Sequence, residues 1–308
     1  MLIFISGLLL FLGGLEGSKW AIKSLVNDRL KSLIVSLDKH LYLSIIIGII
    51  ITAIMQSSSA VSVILIGLIE AGAISLKPAI GIMIGANIGT TVTGQILTFP
   101  IVNYYLHLIV LGLAIVLIGI FGRKRTLFYI GNSILFFGIV FAGLILMTVF
   151  FESPEKRQLI ERILQYSSKN IYLGILTGTI TTAIIQSSSA LTGVVIGLAF
   201  NRLINLRTAI ALILGSNLGT CFTAFLASIN SGPISQKLTR GHFFFNLLGV
   251  AALIPFYFIF ENIVRSSSQE LTRQIANAQT FFNIYNTLII LPFLNTFISW
   301  LEGKEELP

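Results

Sequence analysis

The sequence predicts an all-α polytopic membrane protein built from two inverted-topology repeats, each with a re-entrant helical hairpin and a broken helix. Three observations predict it. Of 308 residues, 55% are hydrophobic and only 10% charged, with a mean hydropathy of +0.92, whereas soluble domains carry about 25% charged residues. Seven segments are long and apolar enough to cross a hydrocarbon core, which takes about 20 residues of helix. Finally, Gln56-Ser57-Ser58-Ser59-Ala60 recurs 130 residues later as Gln186-Ser187-Ser188-Ser189-Ala190, and ten of the thirteen residues in 48–60 match 178–190. The same offset lays Gly85-Ala86-Asn87-Ile88-Gly89-Thr90-Thr91 on Gly215-Ser216-Asn217-Leu218-Gly219-Thr220-Cys221. Two different polar motifs repeating in step mean a duplicated chain.

The first crossing is 2–22. Glu16, Lys19 and Trp20 stand where a cleavage site would need small residues, so this is a retained helix rather than a signal peptide. Glu16 and Lys19, one turn apart, are expected to pair or snorkel. Segment 24–39 is charged and amphipathic, the pattern of an interfacial helix. Next comes 41–73, apolar but interrupted by Gln56 to Ser59. Its arms, 41–55 and 60–73, reach roughly 21–23 Å each as helix. Neither spans comfortably, and two short helices meeting at a polar tip describe a re-entrant hairpin. Crossings 78–98 and 104–121 complete the first repeat, 1–125. The second, 126–262, repeats the order: crossing 127–150, hairpin 171–200, then crossings 206–228 and 241–262. The remainder, 263–308, supplies a second interfacial helix at 263–277 and a last crossing at 279–300. Three crossings per repeat force the second copy to enter from the opposite face, so the two hairpins dip in from opposite sides.

Charge sets orientation. Arg29, Lys31, Lys39, Lys77, Arg123, Lys124, Arg125, Lys237 and Arg240 fall in connectors of one side. Lys156, Arg157, Arg162, Lys169, Arg202, Arg207, Arg265 and Arg273 fall on the other, diluted by Glu152, Glu155, Glu161, Glu261 and Glu270. The short Arg123-Lys124-Arg125 loop is the strongest single signal and is assigned to the cytoplasm. The N-terminus is then outside, the C-terminus cytoplasmic, and the first hairpin opens from inside. The net charge of +8 is spread over short connectors, which excludes a nucleic-acid surface. A single cysteine, Cys221, excludes an intramolecular disulfide and a cysteine metal cluster; it reads as a small packed residue. No catalytic constellation is present, so the chain is not read as an enzyme.

The polar motifs carry the chemistry. A helix that starts inside the membrane presents unpaired backbone N–H groups and partial positive charge, which suits an anion. A helix that ends there presents carbonyls, which suit a cation. Ser57, Ser58 and Ser59, with Ser187, Ser188 and Ser189, add hydroxyls that can donate to an oxyanion or accept around Na⁺. Gln56 and Gln186 can brace the loop or touch ligand through either end of the amide. In the second motif, the glycines permit backbone unwinding or close approach, and Asn87, Thr90, Thr91, Thr93, Ser216, Asn217, Thr220 and Thr223 supply more oxygens. No carboxylate recurs at these motifs, which disfavours Ca²⁺, Mg²⁺ and a proton relay. Serine and threonine also pack in membrane helices without binding anything, but two motifs duplicated in step are poorly explained that way. Ser266-Ser267-Ser268, without the glutamine or a repeat mate, reads as surface.

Paired Gln-Ser-Ser-Ser hairpins, each followed by a Gly-x-Asn-x-Gly-Thr helix, resemble the type II sodium–phosphate cotransporters and their bacterial relatives. Gly7-Leu8-Leu9-Leu10-Phe11-Leu12-Gly13, Asp28-Arg29-Leu30 and His242-Phe243-Phe244-Phe245-Asn246 add to the likeness, which runs from about Gly7 to Pro255. The resemblance implies Na⁺-driven uptake of inorganic phosphate across a bacterial inner (plasma) membrane. It implies phosphate near Ser57, Ser58, Ser187 and Ser188, and a Na⁺ site drawing on Gln56, Ser187, Ser188, Thr220 and Thr223. The repeat extends the candidates to Ser59, Ser189, Asn87 and Asn217 for phosphate, and to Gln186 and Thr90 for Na⁺. Two departures stand out. Many bacterial relatives carry a PhoU-like regulatory domain after the membrane core, where this sequence ends without one. Cys221 also replaces the hydroxyl expected opposite Thr91.

Charge balance then gives a mechanism. With no fixed cation among the motif residues, a divalent anion needs co-bound Na⁺, and the Na⁺ gradient drives uptake by alternating access. The rivals are a Na⁺-coupled carrier of another small anion and a Na⁺-independent phosphate channel or exporter. The expected partners are inorganic phosphate, Na⁺ and the lipid bilayer; a second copy of the chain in a homodimer is compatible with the sequence.

Overall fold

The computed structural model describes residues 2–35, 41–99, 104–150 and 170–303, together with residue 158. Among the described residues all regular structure is helical. The elements are α1 (Leu2–Val35), α2 (Leu41–Met55), α3 (Ser58–Glu70), α4 (Leu76–Leu97), α5 (Tyr105–Phe121) and α6 (Arg125–Phe150), followed by α7 (Ile171–Ile185), α8 (Ser188–Phe200) and α9 (Leu206–Ser228). Last come α10 (Pro233–Leu253), α11 (Tyr257–Ser266), α12 (Leu271–Ile290) and α13 (Leu294–Glu302). Short 3₁₀ turns at Ile254–Phe256 and Leu291–Phe293 join α10 to α11 and α12 to α13. Each turn contains a proline, which lacks the N–H that an unbroken α-helix would use.

Among the described residues six helical stretches are long and apolar enough to cross a membrane: Leu2–Leu25, Leu76–Leu97, Arg125–Val149, Leu206–Ser228, Pro233–Ser266 and Leu271–Glu302. This is a multi-pass membrane protein. The seventh expected crossing, α5, has 17 residues and falls just short. Both hairpins form as expected, with α2 and α3 meeting at Gln56-Ser57 and α7 and α8 meeting at Gln186-Ser187. The charged connector residues 152–157, 161–162 and 169, and Lys39, lie outside the described residues.

Three expectations are corrected. Residues 24–35 do not form a separate interfacial helix; α1 continues through them, because the segment from Ser18 to Val35 contains no glycine or proline to stop it. Nor is 263–277 an interfacial helix. The chain reverses at Ser267–Glu270, where Ser267 Oγ donates to the Val264 carbonyl and Glu270 N–H donates to Ser268 Oγ. Two long helices thus meet in a tight turn, and Ser266 and Ser267 are exposed, as expected of a surface serine run.

The third correction concerns the Gly-Ala/Ser-Asn motif. Neither copy breaks its helix: α4 and α9 are continuous. Their glycines serve close approach instead. A Cβ on Gly85 would collide with the Ile45 carbonyl oxygen, and one on Gly215 with that of Ile175. Reciprocally, Gly48 faces the Ile82 backbone and Gly178 the Leu212 backbone. Each hairpin's first arm therefore lies backbone to backbone against the following core helix, the small-residue packing that membrane helices favour. The four contacts repeat at the same offset as the sequence.

On the other flank, α1 is seated on α6 by the same device. A Cβ on Gly7 would lie 2.7 Å from Met147 N and one on Gly14 2.8 Å from Val140 N. The Phe11 ring fills the notch left by Gly193 of α8. With one face on α6 and Phe11 in α8, α1 has a fixed rotation.

Candidate functional site

The two hairpin tips have the same backbone geometry. Gln56 (φ 52°) and Gln186 (φ 58°) are left-handed, a conformation costing a side-chain-bearing residue about 1–2 kcal/mol. Glycine would adopt it freely, so strain of this kind at a polar tip points to a function for the amide. The Gln56 N–H donates to the Thr52 carbonyl (2.7 Å) and the Gln186 N–H to that of Thr182 (2.6 Å), closing the first arms. Ser57 and Ser187 then cap the second arms, each Oγ accepting from the N–H three residues on, Ala60 or Ala190, at 3.2 Å. The next N–H, of Val61 or Leu191, donates to the serine carbonyl. This leaves the N–H groups of Ser58 and Ser59, and of Ser188 and Ser189, without an acceptor inside their helices.

Both tips face one cavity of about 640 Å³, within the range of small-molecule sites, about 300–1,000 Å³. It is lined by Gln56, Ser57, Ser58 and Ser59 from one tip and Gln186, Ser187, Ser188 and Ser189 from the other. Thr223 of α9 joins them, and its buried hydroxyl oxygen has no protein partner. The tips are not equivalent in access: Gln56 is buried and Gln186 exposed. Chemically the cavity offers two helix N-termini, each equivalent to roughly half a positive charge, with free N–H groups and six serine hydroxyls around them. That combination suits an oxyanion. The same hydroxyls, the glutamine carbonyls and Thr223 can also accept around a small hard cation.

The other candidates stand behind the cavity. Thr90 Oγ1 donates to the Ala86 carbonyl (3.0 Å) and Thr220 Oγ1 to that of Ser216 (2.9 Å). Asn217 Nδ2 donates to the Ile213 carbonyl (2.9 Å), while Asn87 Oδ1 lies 3.1 Å from His242 Nε2 of α10. None of these four lines the cavity. His242 and Asn246 are buried with them, and Asn246 Nδ2 donates both to the His242 carbonyl (3.0 Å) and to Cys221 Sγ (3.4 Å). Cys221, buried as expected, thus takes part in a polar joint between α9 and α10 in place of the missing hydroxyl. Among the described residues no group of three metal-ligating His, Cys, Asp or Glu side chains occurs.

Sequence reasoning missed one wall of the site. Leu12, Leu15, Glu16, Lys19 and Lys23 of α1 line the same cavity. The Glu16–Lys19 pair forms as expected, at 2.6 Å, but beside the tips. The premise of a site without fixed cations is therefore corrected: two lysines and one carboxylate border it. Their spacing, one helical face at intervals of three or four, is the signal that was available, since ionisable residues within a spanning segment mark functional cavities.

A family model described as Na⁺/Pi-cotransporter matches residues 10–149 and 156–282. The chain belongs to the Na⁺/Pi-cotransporter family. It is a transporter-family protein, not an enzyme. Within this family, the chain is 31% identical over 300 residues to "Uncharacterized protein YqeW" of Bacillus subtilis (strain 168), covering 96% of both chains. It is 24% identical over 296 residues to "Putative inorganic phosphate export protein YjbB" of Escherichia coli (strain K12), covering 96% of this chain and 54% of that one. The chain thus spans about half the length of YjbB. It is also 33% identical over 92 residues to human "Sodium-dependent phosphate transport protein 2B", covering 28% of this chain and 13% of that one. No solved structure matches this member of the Na⁺/Pi-cotransporter family.

Proposed function

We propose that this protein couples Na⁺ entry to uptake of inorganic phosphate by alternating access, with phosphate held between the two hairpin tips. The observation that carries the reading is the convergence of two serine-capped helix N-termini on one cavity, each with free N–H groups and hydroxyls. Ser57, Ser58 and Ser59 with Ser187, Ser188 and Ser189 bind the phosphate oxygens. Gln56, Gln186, Thr223 and the shared hydroxyls of Ser187 and Ser188 bind Na⁺. Asn87, Asn217, Thr90 and Thr220 act from behind, holding α4 and α9 in place.

An inverted arrangement of the repeats underlies the alternation. Three contacts support it. Glu70, at the base of the first hairpin, accepts from Gly232 N–H (2.9 Å) at the start of α10. At the far end of α4, Gln95 Nε2 donates to Asn277 and Thr280 of α12. Arg207, at the base of the second hairpin, pairs at 3.0 Å with Glu261, close to the turn that leads into α12. On this reading the two hairpin bases associate with opposite ends of the bundle.

The test is uptake of labelled phosphate into proteoliposomes under an inward Na⁺ gradient, compared with K⁺. Saturable, Na⁺-dependent uptake competed by arsenate is expected; its absence from folded, inserted protein would remove phosphate or Na⁺ from the proposal. A second reading, phosphate export, is favoured by the similarity to YjbB across nearly the whole of this chain. Flux that saturates but ignores Na⁺ would select it.

A further inference from the structure

The charged face of α1 carries an inference about how the site recognises its anion, and it rests on the phosphate reading above. Leu12, Leu15, Glu16, Lys19 and Lys23 fall on one side of the helix and line the tip cavity. Glycine contacts to α6, with Phe11 in the Gly193 notch, hold that side in place. The pair at its centre is unequal. The Lys19 side chain is 14% exposed, whereas Glu16, 2.6 Å away, is 70% exposed. A lysine this deep in a spanning helix is costly unless a negative group faces it. The solvated carboxylate is a weak holder, because an exposed ion pair contributes little. The ammonium also has three donors, and Glu16 takes one.

We propose that Lys19 is the fixed cation of the anion site and that Glu16 is an internal competitor which the incoming oxyanion displaces. In the loaded protein the Lys19 ammonium turns from the carboxylate to a phosphate oxygen, opposite the N–H groups and hydroxyls of the tips. Glu16, already exposed, turns to water. Lysine suits this exchange because it is a compact charge on a flexible stem. Lys23, exposed beside the same cavity, adds to the field that draws an anion in.

The experiment compares wild type, Lys19→Gln, Lys19→Arg and Glu16→Gln in proteoliposome phosphate uptake at saturating Na⁺. Phosphate-dependent thermal stabilisation of the purified proteins runs in parallel, so that a variant defective in movement is still read for binding. Lys19→Gln is expected to raise the phosphate KM about ten-fold with Vmax held within about two-fold, the signature of lost binding. Lys19→Arg should recover most of the affinity, and Glu16→Gln should lower the KM. A wild-type KM in Lys19→Gln, beside normal wild-type uptake, would overturn the role of Lys19 and leave the phosphate reading intact. Equal loss of affinity in Lys19→Gln and Lys19→Arg would assign the lysine to packing and overturn it as well. A KM raised by Glu16→Gln would overturn the competitor role. No response of the wild type to phosphate in either assay would remove the phosphate reading itself, and this inference with it.

Discussion

At the scale of single residues, the capping of the second arms can be separated from the proposed binding role of the tip serines. Ser57 caps α3 through its oxygen, and Asn or Asp would cap it equally well. Ser57→Asn and Ser57→Asp should therefore fold alike. Ser57→Asp, however, places a carboxylate beside the anion and should weaken phosphate binding by at least about ten-fold, or 1.4 kcal/mol. Equal affinities in the two variants, read by thermal stabilisation against phosphate concentration, would take Ser57 out of the site. Ser58→Ala and Ser188→Ala leave the caps untouched and should each greatly reduce Na⁺-dependent uptake at normal insertion. The glutamines were legible in the sequence as tip residues, but not as left-handed ones: nothing in Met55-Gln56-Ser57 demands a positive φ. The turn between two helices imposes it. Asn87 and Asn217 read as ligands because they repeat; they stand behind the cavity, where Asn87 Oδ1 meets His242, Asn87 Nδ2 has no protein partner and Asn217 Nδ2 donates to the Ile213 carbonyl.

At the scale of elements, hydrophobic length and the offset repeat located both hairpins and the boundaries of α4, α5, α6 and α9 to within two residues. The helix ends marked by charge were wrong, because lysine and arginine continue a helix out of the bilayer as readily as they end one. The glycines were legible as special but ambiguous between unwinding and close approach, and only the neighbouring backbone decides that. Gly48→Ala should accordingly cost about 1–3 kcal/mol through overpacking against Ile82, seen as a lower unfolding temperature in detergent. Gly193→Val should push Phe11 out of its notch and impair uptake, and a second change, Phe11→Ala, should restore part of it. Failure of that rescue would show that the notch does not position α1.

For the whole molecule, the contacts between helix ends allow a test of the orientation expected from Arg123-Lys124-Arg125. Ser231 lies beside the base of the first hairpin and Ser268 in the turn at the other end. In a Cys221→Ser background, an impermeant maleimide should label Ser268→Cys in intact cells and Ser231→Cys only after permeabilisation. The reverse pattern would invert the orientation read from Arg123-Lys124-Arg125. For α1 as a wall of the site, the mark in the sequence was the helical spacing of Glu16, Lys19 and Lys23 within a spanning segment; its packing on α6 turns Lys19 inward.

The ion pair on that wall bears on leak. A carrier that must return after unloading travels with whatever charge its cargo leaves behind. With Lys19 set against Glu16, the unloaded seam between α1 and the tips holds a neutral pair; with cargo bound, the cargo supplies the countercharge. A half-loaded seam has neither balance and would draw an uncompensated charge through hydrocarbon. On this view Glu16→Gln should slow net uptake, which needs the unloaded return, while sparing exchange of phosphate for phosphate, which does not. In the proposed Na⁺-coupled cycle the same one-turn pair would suppress slippage, keeping the downhill ion from crossing without its passenger.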